Sequence, residues 1–236
     1  METISPNVQY NTKSTTLDIA KVFFYMFCGL LITFVIAFGG GYLLWRSGNN
    51  DLVKVFSIVG AIGMIVDMIV INVVTLKGQH NILIPGIIYA VMIGLMFTSF
   101  VLFVPWQLIG MAFGITTLTF ALMGLIAFLS KGNLSPLATV AFGLIGGAAL
   151  LSVVNWIFIL VNPSLATPLI WVVSFAVFAF CLLITLYDMW NLKKISEAGA
   201  MSNDLALYCA FTIYVDFINI FIRILYYLII IFGRNR

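Results

Sequence analysis

Four ionisable residues, Asp67, Asp188, Asp216 and Arg223, interrupt stretches that are otherwise apolar. A charged side chain surrounded by hydrocarbon costs several kcal/mol, so such residues pair with one another or line a path. Asp216, Asn219 and Arg223 are spaced by three and seven residues from the first, which at about 3.6 residues per turn places them along one helix face. Asp188 lies five residues before Lys193, about 7 Å inside the end of its helix at about 1.5 Å per residue. Asp216 is eleven residues past Leu205, about 16 Å along the next one. The two can meet if that last helix starts below the membrane surface, and Ser202, Asn203 and Asp204 supply N-caps for such a start. Asp67, ten residues before Lys77, sits at a depth of about 15 Å.

Two carboxylates in contact in a low-dielectric setting do not easily both ionise, and the pair can share a proton. Such a pair suits proton sensing, or oxygen ligation of a hard cation such as Ca²⁺ by Asp188 and Asp216. Each acid taken alone has a plainer use as a structural contact to a neighbouring helix. Arg223 can snorkel to the interface or clamp an acid on another helix. Asn72 and Asn155 suit interhelical hydrogen bonds, and the glycines at 39–41, 60–63 and 143–147 suit close helix packing.

The elements that must hold these groups follow from composition. Hydrophobic residues make up 63% of the chain and charged residues 8%, outside the range of water-soluble domains. The apolar stretches 22–45, 53–76, 82–104, 106–130, 137–161, 168–191 and 205–232 each suit a helix crossing a hydrocarbon core of about 30 Å. Runs such as Ile62 to Val74 lack the alternation of barrel strands. The expectation is an all-α integral membrane protein of seven helices, a single domain over 21–236 behind a polar tail at 1–20, with no room in its loops for a soluble domain. The tail lacks the form of a secretory signal peptide, so the first span is expected to be retained. Cys28, Cys181 and Cys209 show neither metal-site spacing nor a disulfide pattern, and His80 stands alone, which argues against a zinc centre.

Lys and Arg in short loops favour the cytoplasmic side. Lys13, Lys21, Lys77, Lys131, Lys193 and Lys194 fall on one side, and Arg46, Lys54, Arg234 and Arg236 on the other, which favours a cytoplasmic N-terminus. The formal net charge of +3 is scattered among loops and forms no nucleic-acid patch. The partners implied are the lipid bilayer, protons and a cation.

The segment Leu186-Tyr187-Asp188 with Leu192, followed by Tyr214-Val215-Asp216-Phe217-Ile218-Asn219-Ile220-Phe221, closely resembles the C-terminal signature of the Bax-inhibitor family, also called the transmembrane Bax inhibitor motif family. The resemblance, to a bacterial member, implies six helices around a central seventh and a pH-sensitive Ca²⁺ leak in a bacterial plasma membrane. It implies that Asp188 and Asp216 form the proton-sensing pair at the cytoplasmic mouth and that Asp67 on the second helix lies along the pore; Asn219 and Arg223, on the polar face of the last span, are expected to line the cation path with it. Two features depart from the pattern. The basic residue thought to latch the pair has no closer match than Lys77, already in a loop, and Arg223 stands three residues before Tyr226, where a basic residue would be expected.

Three functions fit these residues: a cation leak gated by the aspartate pair, a proton-coupled secondary transporter, and a non-conducting regulator of a membrane-protein partner. Enzyme function is not expected. An intramembrane aspartyl protease also uses two aspartates, but its Gly-x-Gly-Asp motif is missing. No cofactor is expected beyond Ca²⁺ as a permeant or bound ion.

Overall fold

Runs of apolar residues this long satisfy their backbone groups in lipid by forming helices. The computed structural model describes residues 12–48, 50–76, 82–161 and 163–233. They form α1 (Thr12–Ser47), α2 (Asn50–Leu76), α3 (Leu83–Phe103), α4 (Trp106–Leu129), α5 (Ser135–Val161), α6 (Pro163–Glu197) and α7 (Asn203–Gly233). Each contains a stretch long and apolar enough to cross a bilayer, so the chain is an all-α, seven-helix integral membrane protein. Lys77, His80, Arg234, Arg236 and the tail at 1–11 lie outside the described residues.

Two helices run past the apolar stretches that announce them. α1 begins at Thr12, inside the segment expected to be a polar tail, and α6 continues to Glu197. The last carbonyls of a helix lack intrahelical donors. The extension of α6 supplies donors to the end of α4, the Lys193 amino group donating to the carbonyls of Phe128 (2.8 Å) and Ser130 (3.0 Å), while the Trp190 indole, just before it, donates to the Gly132 carbonyl in the following loop (3.1 Å). Lys194 sits 4.0 Å from the centre of the Trp190 ring, a cation–π contact that holds the indole in place.

The turn into α7 is built from local chemistry. Gly199 adopts φ +66°, the left-handed conformation that ends many helices. The amide of Gly199 donates to Ser196 and that of Ala200 to Ile195, the two reversed bonds of a Schellman turn. Ser202 then caps α7 by accepting from the Leu205 amide (3.1 Å), one of the expected N-caps.

The helices form two groups of three. α3 packs on both α1 and α2, α6 packs on both α4 and α5, and α1 touches α6 between the groups. α7 is the most buried span. It lies against α1, α4 and α6 along its length, and α3 reaches it through aromatic rings, Tyr89 on Phe211 (5.1 Å) and Phe97 on Phe221 (5.7 Å). The close neighbours of α7 among the described residues are thus four helices rather than the expected ring of six, with α2 and α5 set outside on α3 and α6.

Glycine decides one of these contacts. A Cβ on Gly60 would lie 2.6 Å from the Met96 amide nitrogen and 2.7 Å from the Met92 carbonyl oxygen, so α2 approaches α3 backbone to backbone there, as small residues permit. The expectation of close packing fails for Gly143 and Gly147, which meet nothing within 4 Å because their face of α5 points away from α6.

Candidate functional site

α6 and α7 run antiparallel, and their register is fixed at both ends. Toward the start of α6, the Ser174 hydroxyl pairs with the Tyr227 hydroxyl (3.0 Å). Toward its end, the carboxyl groups of Asp188 and Asp216 come into side-chain hydrogen-bonding contact, with the Thr185 hydroxyl in reach of Asp216. The sequence expectation that these two acids meet agrees with this placement. Thr185, one helical turn before Asp188, was not among the expected site residues, although a spacing of three residues puts its hydroxyl on the same face.

The two acids differ in access. Asp216 is buried, whereas Asp188 is half-buried. Oδ2 of Asp216 is enclosed without a hydrogen-bond partner among the described residues. An ionised carboxylate only accepts hydrogen bonds, so contact between two of them becomes a bond only when one carries a proton. The pair therefore has three protonation states: both groups neutral, one proton shared between them, and two like charges in contact. Among the described residues no third His, Cys, Asp or Glu completes a metal cluster. Two carboxylates and a hydroxyl fall short of the roughly six to eight oxygens that Ca²⁺ takes.

Asn219 and Arg223 do not share the burial of Asp216. Arg223 is half-buried and Asn219 is exposed, so the expectation that all three lie on one enclosed face is corrected. Three residues leave Asn219 about 60° around α7 from Asp216, still on the same broad face, and its exposure shows that this edge of the face is not covered by a neighbouring helix among the described residues. Arg223 lies two turns along α7 from Asp216, within electrostatic reach of Cys181, which is two turns back from Asp188. Arg223 has no ion pair among the described residues, so it clamps none of the described acids.

Asp67 stands apart from the pair. It is buried on α2, with Oδ2 unpartnered among the described residues and within electrostatic range of Tyr89 on α3. Tyr89 meets the ring of Tyr214 edge-on (6.2 Å). The Tyr214 hydroxyl pairs with Thr33 of α1 (2.6 Å), which also contacts the Ala90 carbonyl of α3 (3.2 Å). Tyr214 and Asp216, two residues apart, point about 160° away from each other around α7. The aspartate pair therefore lies on one side of α7, and Asp67 lies beyond Tyr89 on the other, on a helix that packs on α3.

The sequence pattern of the family described as "Inhibitor of apoptosis-promoting Bax1" matches residues 17–234. The chain belongs to the Bax inhibitor-1 family. It is 27% identical over 232 residues to the inner membrane protein YbhL of Escherichia coli strain K12, covering 92% of this chain and 91% of that protein. The same identity and coverage hold for YbhL of Escherichia coli O6:H1 strain CFT073. The matched range takes in all of α2 to α7 and nearly all of α1, so both acidic sites lie within the shared Bax inhibitor-1 architecture.

Proposed function

We propose that this Bax inhibitor-1 family protein is a pH-sensitive leak for Ca²⁺ or a similar cation, gated by protonation of Asp188 and Asp216. The observation that carries the reading is the meeting of these two carboxyl groups at the interface of α7 with α6. A shared proton joins the helices there. Loss of that proton leaves two like charges side by side, and at about 4 Å in an effective dielectric of about 20 such a pair repels by about 4 kcal/mol. Half-buried Asp188 is the member through which protons reach buried Asp216. With a cytoplasmic N-terminus, in the inner membrane as for YbhL, the pair faces the cytoplasmic half of the bilayer.

The test is Ca²⁺ entry into liposomes carrying purified protein, measured across a pH series. Passive flux that rises as pH rises supports the leak. Solute uptake that requires a proton gradient instead supports a proton-coupled transporter, a reading favoured by the second buried acid, Asp67, across α7. Neither activity leaves a non-conducting regulator of a membrane-protein partner.

A further inference from the structure

α3 and α4 are joined only by Val104 and Pro105, yet they pack on different partners, α3 on α1 and α2, and α4 on α6 and α7. The wedge that opens between them is a cavity of about 340 Å³. Its back wall is α7 at Phe217 and Phe221, and its flanks are Phe97 of α3, Gly110 of α4 and Phe34 of α1. Thr33 lies at its deep end, where the hydroxyl is already engaged by Tyr214.

Burial grades across the wedge. Phe217 and Phe221 are 4% and 7% exposed, whereas Phe34 and Trp106 at the rim are 56% and 73% exposed. The cavity is therefore continuous with the lipid-facing surface of spans that cross the bilayer. No charged residue lines it, which excludes a headgroup or a cation as its occupant. Its volume falls within the range of ligand pockets, roughly 300 to 1,000 Å³. An unfilled apolar space of this size forfeits dispersion contacts on every wall. Trp106, a residue type suited to the membrane interface, marks the shallow end, so an extended chain can enter there and run inward toward Thr33.

We infer that the wedge is a binding site for one acyl chain of a bilayer phospholipid, from the leaflet at the α3–α4 turn. The chain lies against α7 on Phe217, the residue next to Asp216.

The test uses the full chain in nanodiscs of phosphatidylcholine doped with a phosphatidylcholine that carries a diazirine midway along one acyl chain. After irradiation, the crosslinked residues are mapped by mass spectrometry. Crosslinks on Phe217 and Phe221 are expected. A Cβ on Gly110 meets no atom within 4 Å, so Gly110→Phe can fill the wedge from its open side. That variant should cut back-wall crosslinking by about tenfold, equivalent to about 1.4 kcal/mol, while labelling of lipid-facing Trp45 stays unchanged. Gly110→Ala, which leaves the wedge open, should label as the parent does. Crosslinks in the parent protein confined to Phe34 and Trp106, or back-wall crosslinks that persist in folded Gly110→Phe, would overturn the site. The comparison of rim with back wall in the parent protein decides the matter even if Gly110→Phe does not fold.

Discussion

The two acidic sites are built differently, one on α7 itself at its α6 side and one outside α3 on α2. On the α6 side, Asp188 and Asp216 face each other across a helix interface, with Thr185 beside them. On the α3 side, Asp67 approaches from peripheral α2, and Tyr89 and Tyr214 stand between it and the Thr33 contact. A change in the charge of the pair acts directly on the separation of two packed helices. A change at Asp67 acts first on the seam between α2 and α3. Buried acids in one membrane protein thus need not form one relay. What each can do depends on whether its proton bridges two helices.

The largest effect is expected from Asp216→Asn. The amide cannot ionise, so the like-charge state is lost, and a Ca²⁺ flux that rises with pH in the parent should become nearly flat. The change is on the order of tenfold at the alkaline end, a fraction of the repulsion available to two adjacent charges. Asp188→Asn should flatten the profile as well. A pH profile unchanged in both variants would remove the pair as the sensor and leave Asp67 as the next candidate.

Gly60→Ala tests the other side. The new methyl group would press on the Met92 and Met96 backbone, and overpacking of this kind costs about 1–3 kcal/mol. Gly147→Ala, whose methyl group meets nothing within 4 Å, should cost nothing measurable. Unfolding of both variants in mixed micelles checks the contrast. Retention of the parent pH profile in Gly60→Ala would sharpen the separation between the two sites.

Tyr214→Phe removes the hydroxyl that pairs with Thr33 and should cost about 0.6 kcal/mol, the average for interhelical hydrogen bonds in membranes. A double-mutant cycle with Thr33→Val reads the coupling directly. The smallest change in the shape of the pH response is expected from Asp67→Asn. Flux amplitude should fall by less than about tenfold through the loss of local attraction for cations, with the midpoint of the pH response retained. A shifted midpoint would join the two sites into one titrating system.

The spans were legible because hydropathy reports burial in lipid, and the acids were legible because lipid makes them rare. Helix ends were less so. Nothing in the composition of Lys193 and Lys194 says that α6 continues through them, since the reason is the set of unpaired carbonyls at the end of α4, distant in sequence. Depth along two consecutive helices allowed Asp188 to meet Asp216 only if α7 started below the membrane surface, and it was the family resemblance that paired them. The exposure of Asn219 was not legible, because helical spacing gives a direction but not the identity of the helix that covers it. Gly143 and Gly147 carried the same small-residue signal as Gly60 and Gly63, and only the neighbouring helix separates the two cases.

The helix on which α1, α3, α4 and α6 converge is also the last of the seven described helices in chain order. Until residues 203–233 leave the ribosome, the two groups of three helices have no shared partner except the contact of α1 with α6. Thr33 and Thr185 then lack their α7 neighbours, and Asp188 has no carboxyl to share a proton with. Assembly of the two groups therefore waits on α7. A product cut short before α7 would keep most of its apolar length and the bonds of Thr33 and Thr185 to backbone carbonyls, but would leave Asp188 without its carboxyl partner within the membrane.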